Sequence, residues 1–149
     1  MNRQLFLAAL TVGFSTAAMG ACEEGSKTVF SCITAKSKLI QVCDSGKTIN
    51  YSFGKLNSTP EIVIRVARSK ASTYQWSGVG RTIYYSVDVP NGNTTYSVFS
   101  GFDRLADKYP FEAGVQVEVN KKHVATVKCI GEEIHVVNNI MGIDLKPSE

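Results

Sequence analysis

Two stretches place side chains suited to recognition among glycines: Trp76-Ser77-Gly78-Val79-Gly80-Arg81 and Ser100-Gly101-Phe102-Asp103-Arg104. Their chemistry is that of grip. A guanidinium offers five donors in a planar fork that matches a carboxylate, and an indole fills a partner's pocket with area and one N–H. The candidate contact residues are therefore Trp76, Ser77, Gly78, Arg81, Tyr84, Ser100, Gly101, Asp103 and Arg104. Each also has a plainer use. Trp76, the lone tryptophan, can pack at a sheet edge, and the glycines can mark bulges or close backbone approach. Arg81 can pair with Glu61 or Asp103, and Arg104 with Asp103.

Covalent chemistry finds less to work with. His123 borders the Asn120-Lys121-Lys122 turn and His135 lies near the tail, neither beside a nucleophile, and Gly-x-Ser-x-Gly is absent. The acids are spread along turns and outer faces, not paired across a cleft as glycoside cleavage needs. Ser77-Gly78-Val79-Gly80 leads into a strand, so the helix terminus that makes a phosphate loop work is missing. No Cys-x-x-Cys occurs and the histidines are not grouped with the cysteines, which argues against zinc. The expectation is a non-enzyme without metal or cofactor.

The elements that position the two stretches are strands. Thr82 to Val89 and Thr94 to Phe99 are dominated by Val, Ile, Thr, Tyr and Phe, which fit a pleated half-buried surface. Between them the Pro90-Asn91-Gly92-Asn93 corner supplies the positive φ that a tight hairpin turn requires. In an antiparallel hairpin, Trp76–Arg81 and Ser100–Arg104 then meet at the end opposite the turn. Upstream, Lys27 to Ile33, Leu39 to Cys43 and Thr48 to Phe53 form a meander, followed by Glu61 to Val66. Arg68 to Gln75 reads as an edge strand or a crossing between sheets. Downstream, Gly114 to Val119 turns at Asn120-Lys121-Lys122 into His123 to Cys129. A short strand is expected within Ile134 to Val137, and fraying over Lys146 to Glu149. With no sustained helical period, the fold class is all-β, a single antiparallel sandwich or barrel of about eight to ten short strands.

Met1–Ala21 reads as an export signal: Arg3, the apolar run Leu5 to Phe14, then small residues before cleavage. Residues 22–149 are left as one exported β-domain, periplasmic or secreted, with no transmembrane segment. Without Arg3 the chain carries 15 basic against 13 acidic residues. Such a balance, with no basic cluster interleaved with aromatics, argues against nucleic acid. Cys22, Cys32, Cys43 and Cys129 all follow the cleavage site, implying two disulfides in an oxidising compartment. Three pairings are open. A turn around Ser37-Lys38 favours Cys32 with Cys43, leaving Cys22 with Cys129 to staple the ends. Met19-Gly20-Ala21-Cys22 is also loosely like a lipoprotein cleavage box, which would tether Cys22 to lipid and leave an odd thiol.

The export signal, four cysteines, short strands and a Ser-Gly-x-x-Arg segment feeding an aromatic strand resemble the small periplasmic inhibitors that bacteria direct against animal lysozymes. In the c-type inhibitors a Ser-Gly element followed by a basic residue and Tyr enters the lysozyme cleft, and i-type and g-type inhibitors use a related loop on a β scaffold. The resemblance covers the hairpin region. It implies contact roles for Ser77, Gly78, Arg81 and, displaced by two residues, Tyr84, with Ser100-Gly101, Asp103 and Arg104 as a second candidate. It implies a protein partner, lysozyme foremost. The chain also looks like exported β-domains bearing a Trp-Ser-Gly-x-Gly-Arg segment. The competing expectation is a non-catalytic carbohydrate or small-ligand module, or a structural envelope domain, with Tyr51, Trp76, Tyr84, Tyr85, Tyr96 and Phe99 lining one pocket.

Overall fold

The computed structural model describes residues 22–108 and 110–149. The expected export signal and Tyr109 lie outside the described residues. Eleven strands occur among those described: β1 (Lys27–Ile33), β2 (Lys38–Asp44), β3 (Thr48–Lys55), β4 (Ile62–Ala67), β5 (Ser72–Gln75), β6 (Thr82–Asn91), β7 (Thr94–Asp103), β8 (Phe111–Val119), β9 (Lys122–Lys128), β10 (Val137–Asn138) and β11 (Lys146–Pro147). The only helical turns described are two short 3-10 segments. No helix among the described residues is long and apolar enough to cross a membrane.

The strands form two sheets, ordered β10-β1-β2-β3-β4 and β11-β5-β6-β7-β8-β9. Alternation decides what lies between them. Phe30, Ile40, Val42, Ile49 and Tyr51 of the first sheet join Val87, Val89, Val98 and Val115 of the second in one core. Tyr51 stacks on Tyr96 across the gap, ring centres 4.9 Å apart. Burial pushes the Tyr51 hydroxyl well above the ordinary tyrosine range, with Tyr96 adding to the effect. The 3-10 turn Arg68–Lys70 carries the chain from one sheet to the other, which is the crossing read at Arg68 to Gln75.

The disulfides are Cys22–Cys43 and Cys32–Cys129, not the expected pairs. The β1–β2 turn is centred earlier than Ser37-Lys38: Cys32 lies opposite Ile40 and Cys43 opposite Thr28. Cys32 also belongs to the core cluster, whereas Cys43 does not, so the two cannot meet. Cys129 follows β9 and forms a bridge to Thr34 just beyond β1, which brings its sulfur to Cys32. That bond staples one sheet to the other.

The tail also departs from expectation. β10 pairs with β1, and β11 runs parallel to β5, with Ser148 N donating to Thr73 O at 2.9 Å, so Lys146 to Ser148 are held where fraying was expected. Between them Ile140 is fully buried. The Gln75 amide fixes this crossing, donating to Ile140 O at 3.0 Å and accepting from Gly142 N at 2.8 Å.

Candidate functional site

The β6–β7 ribbon is set by its turn. Asn91 pairs with Thr94, so the central turn residues are Gly92 and Asn93, one place later than an Asn-Gly reading implies. Gly92 alone takes a positive φ there, +62°, as a turn with glycine at its first central position requires. Ten cross-strand pairs follow without a shift, ending at Thr82 opposite Asp103. At about 3.3 Å per residue this carries the ribbon's far end about 30 Å from its turn. Of the expected Ser100 to Arg104, Asp103 and Arg104 meet residues 76–81 there, whereas Ser100, Gly101 and Phe102 pair within the ribbon with Tyr85, Tyr84 and Ile83.

The loop 76–81 is braced from within. Gly78 and Gly80 adopt φ of +89° and +101°, backbone that side chains with a Cβ rarely take. Trp76 Nε1 donates to Val79 O at 2.8 Å, closing the loop on itself. Arg104 N donates to Arg81 O at 3.1 Å, and Arg81 Nε donates to Asp103 Oδ2 at 2.6 Å. Asp103 Oδ1 accepts from Leu105 N at 3.0 Å. That backbone donor first, and Arg81 after it, hold the Asp103 carboxyl below its ordinary range. The Arg104 guanidinium lies over the Trp76 ring, 5.7 Å from its centre. Arg104 therefore takes the indole as companion, and Asp103 goes to Arg81.

What the tip presents is Ser77, Gly78, Val79, Gly80 and Arg81, all exposed, with Val79 79% exposed at the apex. Trp76 is half-buried behind them. The second Ser-Gly pair is not presented. Ser100 is 1% exposed on the inner face, where Asn138 Nδ2 donates to its Oγ at 2.9 Å. Gly101 is buried because β7 lies close to β6 at this point: a Cβ there would fall 2.6 Å from Ile83 O. Alternation puts Ser100 on the same face as core residue Val98, which is the inner face and not the presented one.

Tyr84 is likewise outside the loop. It points to the outer face of the six-stranded sheet, stacked on Phe99 at 5.8 Å and tilted against Tyr74 at 5.8 Å. Burial first, then the charges of Asp88 and Glu118, push its hydroxyl up to about 12. The six aromatics expected in one pocket are thus divided. Tyr51 and Tyr96 stack between the sheets, Tyr85 packs on the core, Trp76 belongs to the tip, and Tyr84 and Phe99 lie outside.

The sequence reading missed an outer-face cleft of about 520 Å³ bordered by Tyr84, Phe99, Gln116, Thr126 and the Glu112–Lys128 ion pair, which closes at 2.8 Å. Its signal was Gly114, a side-chain gap between Glu112 and Gln116 on the outward face of an alternating strand. His123 Nε2 bonds Thr126 Oγ1 at 2.8 Å, and His135 sits on a separate 3-10 turn. Among the described residues, no three His, Cys, Asp or Glu side chains group to hold a metal ion. Comparison with protein-family models, curated proteins and solved structures finds no match for this chain.

Proposed function

We propose that this chain is an exported, non-catalytic protein-binding domain that blocks a secreted glycosidase, lysozyme foremost, by inserting the loop 76–81 into its cleft. The observation that carries the reading is the presentation of that loop. An exposed apolar apex at Val79 and a cation at Arg81 stand on a backbone already fixed by the Trp76–Val79 and Arg81–Asp103 hydrogen bonds. Such pre-ordering lowers the entropy lost on association. The chemistry is complementary, because a lysozyme cleft holds one protonated and one ionised carboxyl. Arg81 commits only its Nε to Asp103, so its outer nitrogens remain to meet a carboxylate, while the Ser77 hydroxyl and the glycine amides add donors. The contact set is Trp76, Ser77, Gly78, Val79, Arg81 and Arg104. Ser100, Gly101 and Tyr84 are left out of it by their positions. Two disulfides belong to an oxidising compartment, and with Met1–Ala21 read as an export signal the place of action is the periplasm or beyond.

The experiment is a turbidity assay of bacterial cell lysis by c-, i- and g-type lysozymes. The expected result is that micromolar protein slows one of the three and that Arg81→Ala weakens the effect about tenfold or more, the scale of a lost charge-assisted contact. Unchanged lysis with all three enzymes removes the proposal.

A further inference from the structure

The outer face of the six-stranded sheet carries a trough that meets the tip only at Asp103, the partner of Arg81. Along β7 and β8, Gly101 and Gly114 give that face no side chain, and neither position admits one. A Cβ on Gly114 would fall 2.2 Å from Val127 O, and one on Gly101 2.6 Å from Ile83 O. The result is a trough. On its β6–β7 side stand the stacked rings of Tyr84 and Phe99, and on its β8–β9 side stand Gln116, Thr126, Glu112 and Lys128. Its volume, about 520 Å³, is that of a small-ligand site, and an apolar wall opposite a few polar groups is the usual composition of one.

Charge narrows the ligand. The three charged groups bordering the trough are Asp103, Glu112 and Lys128. Each is already matched within the protein, Glu112 by Lys128 at 2.8 Å and Asp103 by Arg81 at 2.6 Å. An anionic ligand would have to displace one of these pairs, and a cation likewise. A ligand with one apolar face and a rim of neutral hydroxyls breaks no ion pair: its C–H face lies against the aromatic wall while Gln116 takes its hydroxyls, joined by the bonding capacity that Thr126 keeps beside its contact with His123. We infer that the trough between Tyr84 and Gln116 binds a neutral pyranose of an oligosaccharide chain.

The test is a titration of the isotopically labelled protein with the β-1,4-linked N-acetylglucosamine trimer, with cellotriose and with the galacturonic acid trimer, followed by backbone amide shifts. Expected are saturable shifts at Gly101, Gly114 and Gln116 with a neutral trimer. Gln116→Ala should weaken binding several-fold, and Tyr84→Ala about tenfold or more, in line with a lost hydrogen bond and a lost aromatic wall. Val79→Asp, at the tip, should leave the affinity unchanged while abolishing lysozyme inhibition, so the two sites fail separately. Should Tyr84→Ala not fold, Gln116→Ala alone decides. Three results would overturn the inference: no shifts at these amides with either neutral trimer, the same affinity in Gln116→Ala, or binding of the uronate as tight as that of the neutral sugars.

Discussion

The guanidinium of Arg104 rests over the ring of Trp76, 5.7 Å from its centre, and so ties the end of the β6–β7 ribbon to the loop that precedes it. Because Trp76 is the only tryptophan in the chain, its emission reports the surroundings of this loop, to which Arg104 and the bond to Val79 O both contribute. Arg104→Ala removes an exposed cation–π contact worth about 0.5–1 kcal/mol. The expected outcome is a red-shifted Trp76 emission and faster amide exchange across residues 76–81, with the melting temperature of the domain lowered by only a few degrees. Emission indistinguishable from the parent would show that the contact does not hold the loop.

The two disulfides differ in the length of chain they close, 97 residues apart for Cys32–Cys129 and 21 for Cys22–Cys43. In the chain-entropy account their removal costs about 4.7 and about 3.3 kcal/mol respectively. The paired change Cys32→Ala with Cys129→Ala should therefore lower the denaturant midpoint more than Cys22→Ala with Cys43→Ala. The position of the long-range bond sharpens the difference, since it joins sheet to sheet near the Thr34–Cys129 bridge. Equal midpoints for the two double variants would contradict this, and peptide mapping of the non-reduced protein would check the pairing directly.

Local signals in the sequence told most of the fold, and long-range ones failed where expected. Alternation in Val115, Val117 and Val119 and the turns at Gly92 and Asn120-Lys121 gave the β6 to β9 meander, because period and turn chemistry are properties of neighbours. The Cys32–Cys129 bond was not legible, since it depends on how one sheet closes on the other. The same is true of the tail: nothing in Lys146-Pro147 announces a strand parallel to β5, a pairing made across more than seventy residues. At the site, convergence of 76–81 with the far end of β7 was readable from the hairpin alone, although only Asp103 and Arg104 of the expected Ser100 to Arg104 take part. The face on which Ser100 and Tyr84 fall is also legible, by counting two at a time from Val87 and Val98, and it runs against the Ser-Gly motif. The Arg104–Trp76 contact was not, because side-chain direction at a strand end follows the packing of both loops.

Asp103 gives the tip a dependence on acid. Its carboxyl accepts from Leu105 N and Arg81 Nε, and these donors lower its pKa in the folded protein. A depressed carboxylate pKa means that the ionised form is favoured by folding, so the stabilisation is present above the unfolded value, about 3.9, and is lost as pH falls through the lower folded value. Protonation would release Arg81 and the turn at Leu105. The expected outcome is a change in Trp76 emission below about pH 4 that is absent from Asp103→Asn, whose amide cannot titrate. A variant that reproduces the parent's acid transition would place the responsible group elsewhere.

Tyr84 sets the opposite limit. Its hydroxyl is pushed up to about 12 by burial and by Asp88 and Glu118, and Tyr51 is raised further by burial between the sheets. Here the protonated form is the one that folding favours. The sign is therefore reversed: the stabilisation is whole below the unfolded value near 10 and drains away as pH rises towards 12. Absorbance of tyrosinate in the near ultraviolet should show Tyr84 and Tyr51 ionising late, above the ordinary tyrosine range and together with loss of the fold. Tyr84→Phe keeps a ring to stack on Phe99 and removes the ionisable hydroxyl. It should lose one late-titrating group and unfold at a higher pH than the parent. If instead the variant unfolds at the same pH and the number of late tyrosines is unchanged, Tyr84 is not buried against Phe99 in solution, and the trough that depends on that stack loses its wall.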